Sequence, residues 1–258
     1  MIQEDLRLSI YNSIKTETPV LAAMFLKNWK RYKVSAELFL KIPGVTPQDT
    51  ILDYGCGVPF VVKILRASGF NVIGYEPYAT PEHLQVVKLL GLEEFYTGNL
   101  DQHKKFDHIL MIDVIEHLAV ITPDMEFIYD HLTGNGTLFI STPNVMRFDM
   151  WKKFIFRKTG HPTSIQKFLR ASDHYNNHQR EFTMNELVIT CKYFKFDQIV
   201  MQKYADTQPT NAQLNAYHQL LNDGLSFKPS LKEKIQNGIL FFFPASVKYN
   251  NLFVAAKK

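Results

Sequence analysis

Four residues close together in the chain have the types and spacing to hold a charged, nucleotide-like ligand: Asp53, Gly55, Gly57 and Glu76. The segment Ile51-Leu-Asp-Tyr-Gly-Cys-Gly57 reads as an apolar strand running into an acid and two alternating glycines, after which Pro59 opens a helical stretch. Glycine lets the backbone come close to a ligand, and a strand-to-helix turn in an open α/β sheet is where nucleotides are held. Asp53 at the strand end would repel a pyrophosphate and attract an ammonium group. A dinucleotide fingerprint needs a third glycine, but Gly57 is followed by Val58, Pro59 and Phe60. Pro59 also lacks the N–H that a phosphate would use, although proline suits the first turn of a helix. A second strand, Asn71 to Tyr75, ends at Glu76, about 20 residues past the turn, where an acid binds ribose hydroxyls. The set fits an adenosine carrying a charged amino-acid tail, the description of S-adenosylmethionine, better than it fits NAD.

Other polar residues fall at predicted strand ends. Asp113 closes a strand over His108 to Ile112, where ligand-facing groups sit in such sheets, or it caps a short helix from Val114 to Leu118. His117 lies on that short helix and titrates near neutrality, which makes it the candidate general base, with a structural Glu116-His117 pair as the alternative. Asn144 follows a strand over Thr137 to Ser141 and is a candidate substrate contact. His174 and His178 are four apart, with Asp173 and His161 nearby. That spacing is common, so no metal ligands are assigned, and the pair is read as a polar surface facing the substrate. Arg180 is either a structural anchor or a contact for an acidic acceptor. Thr183 followed by Glu186 fits a capping box opening a helix over Asn185 to Cys191.

These residues stand in segments that resemble the class I S-adenosylmethionine-dependent methyltransferases. The resembling pieces are Leu52-Asp-Tyr-Gly-Cys-Gly57, Gly74-Tyr-Glu-Pro77, Gly98-Asn-Leu-Asp101, Phe106-Asp-His-Ile-Leu-Met-Ile-Asp-Val-Ile-Glu-His-Leu118 and Gly136-Thr-Leu-Phe-Ile-Ser-Thr-Pro-Asn144. The resemblance is strong from Thr50 to Asn144 and continues more weakly through His178-Gln-Arg-Glu-Phe-Thr183. The Ile-Glu-His-Leu and Thr-Pro-Asn elements look most like the branch that methylates small metabolites, quinone precursors and sugars. The chain departs from the pattern at Pro59, where the family usually has glycine, and at Asn99, where it often has aspartate. The resemblance implies S-adenosyl-L-methionine as cofactor, held by Asp53, Gly55, Gly57, Glu76, Pro77, Asn99, Leu100 and Asp113. It also implies a Rossmann-like, mostly parallel seven-stranded sheet with helices on both faces, its last two strands forming an antiparallel pair at one edge.

Composition agrees with one α/β domain carrying insertions. The chain has 258 residues, 46% of them hydrophobic. A net charge of +4, spread along the chain, argues against a nucleic-acid binder with its concentrated basic patch. Two cysteines, Cys56 and Cys191, are too few for a disulfide framework and fit a reducing, cytoplasmic setting. No signal peptide is evident at the start, and no apolar run approaches the length of a membrane span. The run Ile239-Leu-Phe-Phe-Phe243, broken by Pro244, fits a buried element better than a lipid contact.

The predicted organisation is an N-terminal helical region, 1–49, followed by the methyltransferase domain, 50–258. In the first, Leu21, Met24, Phe25, Trp29 and Tyr32 repeat at helical spacing, either packed on the sheet or forming a lid. In the second, strands are expected at 51–54, 71–75, 95–96, 108–112, 137–141, 194–201 and 251–256, and their lack of period-two alternation suits burial on both faces. Residues 143–193 and 203–249 are read as helical cap insertions over the substrate. The expected function is methyl transfer to a small or sugar-like acceptor, most simply at oxygen. Alternatives are a lipid-linked or quinone acceptor at a membrane surface, or a cofactor-binding scaffold without turnover.

Overall fold

The computed structural model describes Ile2, residues 4–147, Met150, residues 178–204 and residues 251–258, with the backbone alone for 202–204. Much of the two expected cap insertions, and the run at 239–243, lie outside the described residues.

Seven strands form one sheet: β1 (Thr50–Tyr54), β2 (Asn71–Tyr75), β3 (Tyr96–Thr97), β4 (Phe106–Ile112), β5 (Leu132–Pro143), β6 (Asp197–Tyr204) and β7 (Asn251–Lys257). Their order is β3-β2-β1-β4-β5-β7-β6. The first five are mutually parallel, and β7 runs antiparallel between β5 and β6. The antiparallel edge predicted from the resemblance is therefore present.

The missing period-two alternation has a direct explanation. Successive strand side chains point to opposite faces, and here both faces are cores. Ile51, Leu110, Phe139, Phe253 and Ala255 enter one apolar cluster. Leu52, Ile109, Met111, Leu138, Ile140, Leu252, Val254 and Ala256 enter the other. A strand buried on both sides has no solvated face to mark with polar residues.

The first cluster is closed by α3 (Phe60–Ala67), by α4 (Pro81–Leu89), and by the N-terminal helices α1 (Glu4–Ile14) and α2 (Pro19–Phe39). Phe25 of α2 meets Phe60 at 4.7 Å between ring centres, and Phe39 at the other end of α2 meets Phe139 at 5.9 Å. Over its described length, then, the N-terminal region packs on the sheet through the apolar stripe read from its spacing. The second cluster is closed by α5 (Thr122–His131) and α6 (Met184–Tyr193). Thr183 and Glu186 form the expected capping box: the Thr183 hydroxyl accepts from the Glu186 N–H at 3.2 Å, and the Glu186 carboxylate accepts from the Thr183 N–H at 2.7 Å.

Several predicted boundaries move, β5 most, to Leu132–Pro143, and two of the changes have a clear local cause. β6 begins at Asp197, not Phe194, because α6 ends in a left-handed turn at Lys195 (φ 64°), with the Phe196 N–H bonded back to the Cys191 carbonyl at 3.0 Å. Glycine usually marks such a turn, and lysine there hides it. The short element after Asp113 is a single 3-10 turn, Ile115–His117, capped at Val114 without a side-chain bond. Asp113 is thus not its cap.

Candidate functional site at the carboxyl ends of the strands

The carboxyl ends of β1, β2, β4 and β5 converge, and the glycine turn lies among them. Gly55 and Gly57 both have left-handed backbones (φ 67° and 51°), and a Cβ on Gly55 would stand 3.0 Å from the Val114 methyls. Side chains are strained in both respects there. The turn is pinned to β2: the Tyr75 carbonyl accepts from the Gly55 and Cys56 N–H groups at 2.9 and 3.1 Å.

Glu76 faces the same turn. One of its oxygens accepts from the Gly57 N–H and the other from the Tyr78 N–H, each at 3.0 Å. Asp53, one strand away, is 3% exposed, and among the described residues its carboxyl has no hydrogen bond or ion pair. Burial, reinforced by the charge of Glu76, pushes its pKa up to about 8. The arrangement is a buried acid without a counter-charge beside a backbone turn shaped for close approach.

The other residues assigned to cofactor take more varied places. Pro77 and Asn99 are exposed, and Leu100 packs at the edge of the second core. Asn99 closes a tight loop with Thr97, whose hydroxyl donates to the Asn99 carbonyl at 2.6 Å. Asp113 has a left-handed backbone (φ 55°), forms an ion pair with Arg31 of α2, Nε to Oδ2 at 2.9 Å, and accepts a hydrogen bond from the Ser141 hydroxyl at 3.2 Å. Arg31 therefore reaches the strand ends from the N-terminal helix. Nothing in its spacing along the helix separates it from Lys30 or Lys33.

On the far side of Asp113 lies a second polar cluster. Glu116 is fully buried; its Oε2 accepts from the Thr142 hydroxyl at 2.9 Å, and its Oε1 has no hydrogen-bond partner among the described residues. Burial, then the negative charge of Asp113, holds its carboxyl well above the ordinary range. The Glu116 carbonyl accepts from the Gln179 and Arg180 N–H groups at 2.7 and 3.2 Å, which docks the segment before α6 onto this turn. The ring of His117 meets that of His178 edge to face, 4.8 Å between centres.

His178 in turn bonds through Nδ1 to Glu181 at 2.7 Å, and Glu181 pairs with Arg147 through both guanidinium Nη atoms. Burial raises the Glu181 carboxyl, but the bonds from His178 and Arg147 outweigh it and leave the group below the ordinary range. Glu116, His117 and His178 each offer one ligand atom, all within 4.8 Å of one another. Glu116 and Glu181 were not among the expected site residues. The signal for both was adjacency to an assigned histidine, which a single sequence cannot turn into distance.

Asn144 is buried; its side-chain oxygen accepts from the Met146 N–H at 3.0 Å, and its backbone bridges to Phe182. The Arg180 side chain is exposed, bonded to Glu186 at 2.6 Å and lying over Phe182. Both hold the segment before α6 in place. His161, Asp173 and His174 lie outside the described residues.

The sequence profile described as a methyltransferase domain matches residues 27–189, more than half of the chain. The chain belongs to this family, and its sheet is that of the Rossmann-like class I methyltransferases. More particular likenesses are partial. A ubiquinone biosynthesis O-methyltransferase of Chelativorans is 33% identical over 103 residues, 36% of this chain and 40% of that protein. The enzyme of the same name from Bradyrhizobium diazoefficiens is 21% identical over 188 residues, 68% of this chain and 71% of that one. Among solved structures, phosphoethanolamine N-methyltransferase 2 of Haemonchus contortus, in complex with S-adenosyl-L-methionine, superposes with a TM-score of 0.56 at 14% identity, covering 96% of this chain and 60% of that one. That last likeness is one of fold.

Proposed function

We propose that this chain transfers a methyl group from S-adenosyl-L-methionine to a hydroxyl oxygen of a small acceptor. The observation that carries the reading is Asp53: buried, without a counter-charge, beside a left-handed glycine turn and Glu76. An ammonium group beside Asp53 supplies the missing charge, and ribose hydroxyls can take over the Glu76 oxygens that now accept from backbone. Pro77, Asn99 and Leu100 border the adenine in this reading. Asp113, tied to Arg31, forms the wall between cofactor and acceptor, and the region 1–49 contributes to the site through that arginine.

The bound cofactor supplies an activated methyl on sulfur. This chain's residues orient the acceptor, keep water out, and handle its proton; alignment alone accounts for much of such a rate. We assign the proton to His117, at the mouth of the polar cluster. Asn144 and His178 border the acceptor side, with Arg180 on its rim, and His174 is kept with them as a candidate contact.

The names of the two curated relatives support oxygen as the accepting atom and a hydroxylated, quinone-related ring as the acceptor class. No helix among the described residues is long and apolar enough to cross a membrane. With free Cys56 and Cys191, we place the protein in the cytoplasm, acting on small molecules and not on nucleic acid.

Methyl-labelled cofactor incubated with a panel of phenols, catechols, sugars and amines tests this directly. Label is expected in hydroxylated acceptors. Label confined to amines would overturn the oxygen assignment, and cofactor binding with no turnover on any class would favour the scaffold alternative.

A further inference from the structure

We propose that Tyr96 is a positioning residue for cofactor binding: from β3, its hydroxyl holds the glycine turn after β1 in the shape that receives the ligand. The role rests on the methyl-transfer reading, in which this turn and Glu76 take S-adenosyl-L-methionine.

Gly57 is the point of attachment. Its backbone is left-handed (φ 51°), and no atom of the described residues stands within 4 Å of a Cβ built on it, so this face of the turn is open to close approach. Both of its polar backbone groups are held by side chains from neighbouring strands. Its N–H donates to Glu76 at 3.0 Å, and its carbonyl accepts from the Tyr96 hydroxyl at 3.1 Å. The first tether comes from the end of β2. The second comes from β3, which consists of Tyr96 and Thr97 alone.

Packing does not account for the hydroxyl, since phenylalanine would fill the space of the ring. Tyr96 pairs with Gly74 of β2, where the absent side chain lets two groups lie close. A Cβ on Gly74 would stand 2.8 Å from the Cys56 sulfur and 3.5 Å from the Tyr96 ring. Gly74 is thus the floor on which the turn's own Cys56 and the Tyr96 ring rest together, and from there the phenol reaches the Gly57 carbonyl. Burial, then the neighbouring Cys56 and Glu76, raises the pKa of that phenol, so it keeps its proton and remains a donor through the neutral range.

The tether matters most when ligand binds. As ribose hydroxyls take over the Glu76 oxygens, the Gly57 N–H loses that partner, and one of the two side-chain bonds on this residue is given up. The bond from Tyr96 is made to the carbonyl and is compatible with the exchange. Without it the ligand must order the turn, and apparent affinity falls by the fraction of time the turn spends in the receptive shape. Pro59 acts in the same sense: its ring fixes φ at −78° at the far end of the turn, while Tyr96 fixes the middle.

Calorimetric titration of the full chain with S-adenosylhomocysteine, beside Tyr96→Phe and a Val254→Ala control, tests the role. Tyr96→Phe keeps the ring and removes the bond. A bond of this kind corresponds to a ~3–10-fold change in population, and affinity should weaken by about that factor. Val254 is buried in the second core on β7, across the sheet from the turn. Val254→Ala should lower the urea midpoint at least as much as Tyr96→Phe does, yet bind as the parent binds. Circular dichroism confirms that each variant is folded. Unchanged affinity in Tyr96→Phe would overturn the role. An equal loss in Val254→Ala would overturn it too, by tracing the effect to stability. The two readings fail separately: a parent that binds no S-adenosylhomocysteine ends the methyl-transfer reading and this role with it, whereas equal binding by parent and Tyr96→Phe ends the role alone.

Discussion

A buried carboxyl without a cation holds its proton, and Asp53 is in that position with a pKa of about 8 against an ordinary 3.8. The sign of the consequence is fixed by linkage. Between those two values the folded, ligand-free protein binds the proton that the unfolded chain releases, so stability falls as pH rises from about 4 to about 8. The full effect is on the order of a few kcal/mol. Thermal melts should show a decline in Tm from pH 6 to 8 (~6–8) in the parent that is much smaller in Asp53→Asn. Ligand binding runs the other way. An ammonium group needs the ionised acid, so affinity for S-adenosylhomocysteine should tighten as pH rises toward about 8, and Asp53→Asn should bind weakly without that slope. A slope unchanged in the variant would assign the proton to another group.

Gly55 adds a steric counterpart at the same scale. Gly55→Ala brings a methyl group to 3.0 Å from Val114 at a φ of 67°. Urea unfolding should show a loss of about 1–3 kcal/mol from strain and overpacking together. These residues were legible beforehand because turn chemistry is local: an acid, two glycines and a second acid at a set interval. Their electrostatic state was not, since it depends on a burial that only the folded sheet creates.

At the scale of elements, α2 does two things that spacing alone could not distinguish. Its apolar stripe joins the core as the helical period indicated, with Phe25 and Trp29 buried and Leu21, Met24 and Tyr32 packed against that core. Its Arg31 crosses to Asp113 and stabilises the negative end of the site. Arg31→Ala leaves Asp113 unpaired beside buried Glu116, and its partial exposure moderates the cost. A loss of about 1–3 kcal/mol in urea unfolding is expected, smaller at high salt. No loss would mean that the pair is exchanged for water at no cost. α6 offers a cleaner case. Thr183→Ala removes one half of the capping box and should cost about 1 kcal/mol by the same measurement. Here a four-residue signature was enough to read the helix start. The helix end was not legible, because the left-handed turn is made by Lys195 where glycine would have announced it.

For the whole molecule, the seven strands and their directions followed from the alternation of elements and from the family resemblance, while their order across the sheet emerged only in the fold, and the two apolar cores explain the unbroken strand hydrophobicity. The polar cluster was only half legible. His117 and His178 were named separately, but their meeting depends on the segment before α6 returning to the turn after β4, a long-range contact with no signature in spacing. In the proposed reading Asp53 and Glu76 serve the cofactor, and the cluster of Glu116, His117 and His178 serves the acceptor. His117→Ala should accordingly lower turnover while leaving affinity for S-adenosylhomocysteine nearly unchanged. Equal losses in both would reduce His117 to a structural residue.

The central claim is that the glycine turn with Asp53 and Glu76 holds S-adenosyl-L-methionine. Calorimetric titration with S-adenosylhomocysteine, with NAD as the control and Glu76→Ala alongside, tests it most directly. The account predicts one equivalent of S-adenosylhomocysteine bound, no NAD, and a large loss of affinity in Glu76→Ala. Absence of binding by the parent, or equal binding of NAD, would contradict it.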